Sequence, residues 1–174
     1  MCFLGDTLEK IAFEKAGIIK ENSSIVIYPQ AENVVKTIQD IAEGKNSKVY
    51  LVNMSDIEKT HGNLTGQWFN YLKKDVFSLP ETKMNFLGEH QLYNVLTALR
   101  ALEIVKLSGY NVTEKSITDG LGTCRFAGRF EILRENPVIV LDGGHNINGI
   151  EYFSKAVKEN FKDNKITLQT TQGP

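Results

Sequence analysis

Cysteine is scarce in this sequence of 174 residues, and its start does not resemble a targeting signal. The two cysteines, Cys2 and Cys124, lie far apart and have no nearby cysteine or histidine at the spacing of a zinc site. The first residues lack the basic segment and the apolar core of a secretory signal peptide. Because sparse cysteine suits a reducing compartment, the expected location is the cytoplasm.

Long apolar runs and an excess of charge are also missing. No stretch approaches the roughly 18 consecutive apolar residues of a membrane span. The 20 Lys and Arg residues nearly balance the 21 Asp and Glu residues, which gives a net charge of −1. This balance gives no support to a nucleic-acid footprint or a polybasic membrane anchor. We therefore expect neither nucleic acid nor membrane as a partner.

The common nucleotide and hydrolase motifs are absent as well. The sequence contains no G-x-x-x-x-G-K-[ST], no G-x-G-x-x-G and no G-x-S-x-G. If the protein uses a nucleoside triphosphate, its main phosphate loop is not in these residues.

The hydrophobic periodicity that is present predicts an α/β fold. Asp6 and Gly17 are the expected cap and stop of a first helix. Strand 24–28, helix 31–43 and strand 48–52 follow, an order that is typical of a parallel βαβ unit. The remaining pattern predicts strands 66–71, 75–79 and 83–86, helices 89–107 and 113–121, strands 129–133 and 138–141, helix 148–161 and strand 165–170.

Glycines separate the last part of the chain from the rest. Three of them punctuate residues 120–128, between two periodic regions, so we expect a hinge at 121–129. The chain then divides into domain 1–125 and domain 126–174. Only about 45 residues follow the hinge, fewer than an independent domain usually has.

Asp142 and His145 lie in a D-G-G-H-N turn between the apolar strand 138–141 and a helix. At the carboxyl end of a strand, glycines let the backbone approach a phosphate, and a helix N-terminus favours anions. Asp142 can accept from a ribose hydroxyl or hold a metal-bound water, and His145 can donate to phosphate. An ordinary strand-to-helix turn with a satisfied histidine is the alternative.

Lys15 is expected on the apolar side of the first helix, beside Leu8, Ile11 and Ala12. A lysine there usually extends to water from the edge of the apolar stripe. The alternative is a buried lysine with a lowered pKa that reacts with carbon dioxide. The resulting carbamate is an anion that could ligate Mg²⁺.

Asn94 and Arg129 are two further candidates. Asn94 lies near the start of the long helix with His90 and Gln91, where polar side chains either contact a nucleotide base or cap the helix and face solvent. Arg129 follows Gly128 at the expected hinge. It can clamp a phosphate bidentately or pair with a local carboxylate.

Taken together, four blocks resemble the folylpolyglutamate synthases and bifunctional dihydrofolate synthases of the Mur ligase superfamily. They are residues 4–20 (LGDTLEKIAFEKAGIIK), 87–94 (LGEHQLYN), 128–131 (GRFE) and 141–146 (LDGGHN). The resemblance implies the second half of a Mur ligase-type central nucleotide-binding domain, with a parallel sheet and a small run of strands. The start of a Rossmann-like C-terminal domain would follow it.

The implied activity is an ATP-dependent ligase that adds L-glutamate to folate. In this family the folate carboxylate attacks the γ-phosphate of ATP, and the glutamate amine then displaces phosphate from the acyl phosphate. The implied partners are ATP, L-glutamate and tetrahydrofolate or dihydrofolate derivatives, with ATP and Mg²⁺ as cofactors and a monomer as the full-length state.

The resemblance also assigns roles to the candidate residues. Lys15 would be the carbamylated lysine that helps to organise the magnesium site, and Asn94 would contact the adenine. Arg129 would contact the phosphates, while Asp142 and His145 would bind the ribose and phosphate region. The two domains would then close over ATP.

Parts of the family pattern are not found in these residues, namely the phosphate loop, a magnesium-ligating glutamate and a metal-binding histidine. We therefore expect the chain by itself not to complete the ligase reaction. The alternatives are a non-catalytic remnant or interaction module, and another Mur-type amide ligase. The folate-type blocks 14–20 and 90–91 argue against the second alternative.

Overall fold

The fold was analysed in a computed structural model that describes residues 7–170. The elements are α1 (Leu8–Ala16), β1 (Ser24–Ile27), α2 (Glu32–Gly44), β2 (Lys48–Leu51), β3 (Ile57–Asn63), β4 (Gly66–Tyr71), β5 (Leu79–Met84), α3 (Glu89–Leu107), α4 (Glu114–Thr123), β6 (Glu131–Glu135), β7 (Val138–Leu141) and α5 (Ile147–Asn160). Among these residues, no helix is long and apolar enough to cross a membrane.

The predicted βαβ unit is confirmed. Strands β1 and β2 pair in parallel, with Ser24 opposite Lys48. Helices α1 and α2 pack together through a small apolar cluster of Ala16, Ile19 and Ala42.

The cap and the buried face of α1 differ from the expectation. Asp6 lies outside the described residues, and the Thr7 side chain accepts the hydrogen bond from the backbone N–H of Lys10. The predicted stripe with Leu8 and Lys15 is wrong, because Leu8 is 58% exposed and Lys15 is exposed too. The buried side is formed by alanines, whose short side chains let α1 approach α2 closely.

The middle of the chain forms an antiparallel sheet in the order β3-β4-β5, against which α3 packs. Strand β4 has the predicted bounds. The predicted strand 75–79 is wrong, since the chain there is a turn and loop, and the third strand runs over Leu79–Met84 instead of 83–86. Strand β3 was not predicted, because all its residues after Ile57 are exposed and give no apolar alternation.

Helix α3 has the predicted bounds and forms the centre of the main core. Its apolar stripe includes Leu92, Leu96 and Leu99, which are at most 3% exposed. On the same helix lies Glu103, a fully buried carboxylate. It accepts a hydrogen bond from the Tyr71 hydroxyl at 2.7 Å, and it also pairs with Lys73 and Arg100.

The last part of the chain is a two-stranded antiparallel hairpin, β6–β7, followed by α5. A third apolar cluster joins it to the start of α3 through Leu87, Phe130 and Ala156. Strand β7 has the predicted bounds. The predicted strand 165–170 is wrong, because the described chain after α5 is irregular.

Candidate functional site

The turn that leads into α3 is held in place from strand β4. Gly88 precedes the helix with a φ of 97°, and no side-chain hydrogen bond caps the helix. The Gln67 side-chain nitrogen donates to the carbonyl oxygens of Phe86 at 2.7 Å and Gly88 at 2.9 Å. A Cβ atom at Gly88 would lie 2.8 Å from Cε1 of His90. The turn therefore needs glycine both for its φ and for the close approach of the imidazole.

His90 is a half-buried imidazole at the centre of this region. Its ring centroid lies 4.8 Å from that of Tyr152, and its buried Nδ1 has no hydrogen-bond partner within residues 7–170. Burial lowers the pKa of His90 below its usual 6.5, while the Asp142 carboxylate raises it and the Arg129 guanidinium lowers it. Asp142 accepts from the backbone N–H of Phe130, and Arg129 directly precedes Phe130. Since Phe130 packs in one cluster with Leu87, both charged residues lie near the start of α3.

Asp142 holds the turn in which it lies. Its Oδ2 accepts from the backbone N–H of Phe130 at 2.8 Å, and its Oδ1 accepts from that of Gly144 at 2.7 Å. The backbone N–H of Gly143 donates to the carbonyl of Gly128 at 2.7 Å. Each carboxylate oxygen keeps a second lone pair, so Asp142 can still accept from a ligand hydroxyl.

Asn94, Arg129 and His145 have exposed side chains. The Asn94 amide donates to Oε1 of Gln91 at 3.1 Å, which leaves its own carbonyl oxygen available. The His145 Nδ1 lies 3.1 Å from the carbonyl oxygen of Gly143. An amide, a guanidinium and an imidazole are therefore each accessible to a ligand from solvent.

Lys15 does not belong to this group of residues. It is exposed in the last turn of α1, and α1 packs on α2 rather than on α3 or α5. Within residues 7–170, no three His, Cys, Asp or Glu side chains are grouped so that they could hold a metal ion.

Sequence reasoning missed a set of tyrosines beside His90. The ring of Tyr28 lies 6.0 Å from that of Tyr93, whose hydroxyl donates to Oε1 of Glu89 at 2.8 Å. Burial, followed by the neighbouring Tyr152, raises the pKa of Tyr28 to about 12. The signal that could have found Tyr28 is its position directly after β1, since ligands in α/β sheets bind at the carboxyl ends of strands.

Charged side chains connect α5 to the same region. Lys155 on α5 pairs with Glu89 at the start of α3, and Lys59 on β3 lies 3.9 Å from Glu159 on α5. These four side chains line a cavity of about 380 Å³ together with Tyr93 and apolar side chains. The first ion pair ties α5 to the start of α3, and the second ties it to β3.

The chemistry of this neighbourhood suits a ligand with a flat ring and an anionic end. Aromatic faces of His90, Tyr93 and Tyr152 can contact a ring, and the Asn94 amide can bond to its polar edge. The exposed Arg129 guanidinium has the planar fork that matches phosphate oxygens.

Comparison with known families and relatives gives a consistent result. A model of the Mur ligase middle domain matches residues 3–102. The chain is 28% identical over 170 residues to the dihydrofolate synthase/folylpolyglutamate synthase of Bacillus subtilis, which covers 97% of this chain and 39% of that protein. Its identity to the Escherichia coli protein of the same description is 30% over 166 residues, covering 94% of this chain and 36% of that protein.

Solved structures resemble the fold over most of its length. A complex of folylpolyglutamate synthase (FPGS) with the ATP analogue AMPPCP matches with a TM-score of 0.81 and 26% identity, over 92% of this chain and 40% of that one. The folylpolyglutamate synthase of Thermotoga maritima matches with a TM-score of 0.77 and 32% identity, over 91% of this chain and 37% of that one. The chain thus spans well under half the length of the relatives it matches.

Proposed function

The chain belongs to the Mur ligase family, on its folylpolyglutamate synthase and dihydrofolate synthase branch, and on that premise we propose that it supplies part of the ATP site of a folate–glutamate ligase. The whole reaction would add L-glutamate to a tetrahydrofolate or dihydrofolate derivative through an acyl phosphate. The observation that carries the proposal is that three separate sequence blocks meet near the start of α3. Asp142 accepts from the backbone N–H of Phe130, which directly follows Arg129. Phe130 in turn shares an apolar cluster with Leu87, three residues before His90.

We assign the roles within the site from the geometry of each side chain. Asn94 would bond to the edge of the adenine with the amide oxygen that remains available. Arg129 would bind phosphate oxygens, where a fixed cation stabilises the charge that develops during phosphoryl transfer. Asp142 would accept from a ribose hydroxyl while it holds its own turn, and His145 would donate to the ribose–phosphate region.

Two further assignments belong to the same proposal. Lys15 is proposed as the lysine that carbon dioxide modifies because it lies in the folate-type block 14–20. Its side chain is exposed, so the described residues do not form the buried environment expected for that reaction. Domains 1–125 and 126–174 are proposed to close on each other across hinge 121–129. Mg²⁺ is proposed as the cofactor of the same reaction, and within residues 7–170 no three His, Cys, Asp or Glu side chains are grouped to hold it by themselves.

The chain by itself is proposed to bind nucleotide without completing ligation, because its 174 residues contain no phosphate-loop motif. Incubation with ATP, tetrahydrofolate and glutamate should release no more ADP than the Lys15→Ala variant does. Turnover clearly above that variant would contradict this part of the proposal.

Nucleotide binding itself is tested by titrating the chain with AMPPCP in a calorimeter. We expect Arg129→Gln to weaken binding about tenfold, because it removes a charged hydrogen-bond donor. The matched control is Arg125→Gln, which removes an equally exposed arginine four positions earlier. Equal affinities for the two variants would contradict the role of Arg129, and no binding to the unmodified chain would contradict the ATP site.

A further inference from the structure

Gln67 is a buried polar side chain that the proposed ATP site does not use directly. It lies on the central strand β4, opposite Met84 of β5, and is 1% exposed. Buried amides are costly unless they are hydrogen-bonded, so a glutamine in an apolar sheet needs a specific reason for its position. Its bonding pattern gives that reason.

The side-chain nitrogen of Gln67 uses both of its hydrogens on the connection between β5 and α3. One goes to the carbonyl of Phe86 and the other to the carbonyl of Gly88, at 2.7 and 2.9 Å. These two carbonyls flank Leu87, so the amide holds the turn at two points at once. Its Oε1 is buried without a hydrogen-bond partner in the described part of the chain.

The N-cap of α3 does not by itself fix the direction of the helix. Its N-cap is a glycine, which has no side chain to bond back to the first turn. The φ of Gly88 lies in the region that glycine enters freely, which permits the turn without defining it. The two bonds from Gln67 hold the backbone of the turn from the sheet side, while Leu87 packs on Phe130 and Ala156 and Glu89 pairs with Lys155 on the side of α5.

We propose that Gln67 is a positioning residue for the nucleotide site, acting through the turn at Gly88. The inference rests on the proposed ATP site for its functional consequence, while its structural part stands without any ligand. His90 lies two residues after the clamped carbonyl and Asn94 lies six residues after it. A shift of the turn therefore moves both side chains relative to Arg129 and Asp142.

The test replaces Gln67 by leucine and by methionine, which are similar in size and cannot donate. The matched control is Thr82→Val on β5, another buried position where a side-chain hydrogen bond to a carbonyl is lost, here to Pro80 and away from the turn. Two apolar variants are made, so that the test can still be carried out if one of them does not fold. Each is compared with the control under conditions in which the two proteins have the same free energy of unfolding.

The first readout needs no ligand. We expect the amides of residues 88–94 to exchange at least about tenfold faster in the Gln67 variants than in Thr82→Val, since a local opening loses two bonds that resisted it. The imidazole resonance of His90 should also move in the Gln67 variants and stay in place in the control. Unchanged exchange and an unmoved resonance would overturn the proposal.

The second readout is the affinity for AMPPCP. We expect it to fall about tenfold in the Gln67 variants and to stay within about twofold of the unmodified chain in Thr82→Val. Faster exchange with unchanged affinity would overturn the functional consequence of the clamp. Absence of binding to every form, with the exchange result intact, would overturn the ATP site and leave the clamp established.

Discussion

The carboxylate of Asp142 accepts a hydrogen bond from the backbone N–H of Phe130, 2.8 Å away and 12 positions earlier in the chain. This bond joins the end of β7 to the beginning of β6. Since Phe130 also belongs to the apolar cluster with Leu87 and Ala156, Asp142 links the glycine-rich turn to the base of α3. A residue proposed to bind ribose is therefore also a structural element of its own turn.

Asp142→Ala should lower the free energy of unfolding by about 2 kcal/mol, because two half-buried backbone donors lose a charged acceptor. Asp142→Asn should cost less, since the amide oxygen still accepts one of the two bonds. Urea denaturation measures both. Asp163→Ala, which removes an exposed carboxylate after α5, is the control and should change the free energy little. Equal costs at the two sites would refute the structural role of Asp142.

Gly88→Ala tests the contact between the turn and His90. Gly109 offers a matched control, because its φ of 96° is nearly that of Gly88 while nothing lies within 4 Å of the added Cβ. Both variants should pay about 1 kcal/mol for the left-handed backbone. Only Gly88→Ala should cost more and displace the His90 imidazole resonance. The prediction fails if the two variants lose the same stability and leave that resonance unchanged.

Removing each of the two charged neighbours of His90 should shift its pKa in opposite directions. Burial holds the pKa of His90 in the folded chain below 6.5. As the pH falls below 6.5, the imidazole is therefore protonated in the unfolded chain before it is protonated in the folded chain, and the free energy of unfolding decreases. Arg129→Gln should raise the pKa of His90, and Asp142→Asn should lower it. Imidazole chemical shifts followed against pH give both values. Shifts of the same sign in the two variants would show that these charges do not act on the ring.

Glu103 should give the chain an acid-sensitive contribution to stability. Burial alone would raise the pKa of its carboxyl, but the hydrogen bonds from Tyr71, Arg100 and Lys73 outweigh burial and lower it. Because the folded pKa lies below the unfolded value of 4.5, the contribution is complete above that pH and is lost as the pH falls through the folded pKa.

Glu103→Gln should therefore cost about 2–4 kcal/mol near neutral pH, since it leaves two cations without their buried partner. The difference from the unmodified chain should shrink on acidification below 4.5, the unfolded value. Urea midpoints at several pH values measure this difference, in which the other carboxylates cancel. Glu58→Gln on the exposed strand β3 serves as the control. A difference that stays constant down to strong acid would disprove the assignment.

The sequence predicted those elements whose local pattern and tertiary environment agree. Helix α3 was placed with both bounds because its apolar stripe lies in the main core and Gly109 follows its end. Strand β3 was missed because pairing with β4, and not an apolar face, makes it a strand. In segment 165–170, alternation gave a wrong strand, since alternation stabilises a strand only where a neighbouring strand accepts its hydrogen bonds.

The sequence identified candidate residues for the site, but it did not predict how they are arranged in space. His90, Arg129 and Asp142 lie in three of the blocks that carry the family resemblance, and these blocks meet near the start of α3 through the Phe130–Asp142 hydrogen bond and the cluster of Phe130 with Leu87. Their roles in binding stay a prediction. The placement of Lys15 on the buried side of α1 was wrong, because a helical stripe does not reveal which of its two edges a partner helix covers. The clamp by Gln67 had no sequence signal, since it depends on the register of β4 against β5.

The parallel pair β1–β2 carries a consequence for how these residues can be extended. In the part of the chain that the structure describes, each strand bonds to one neighbour only, so one row of backbone groups on each strand faces no third strand. A hairpin cannot prolong a parallel ladder, because the next strand must return by a crossover or come from a separate polypeptide. Any strand that prolongs this ladder in the same direction must therefore bring its own crossover connection or belong to another chain.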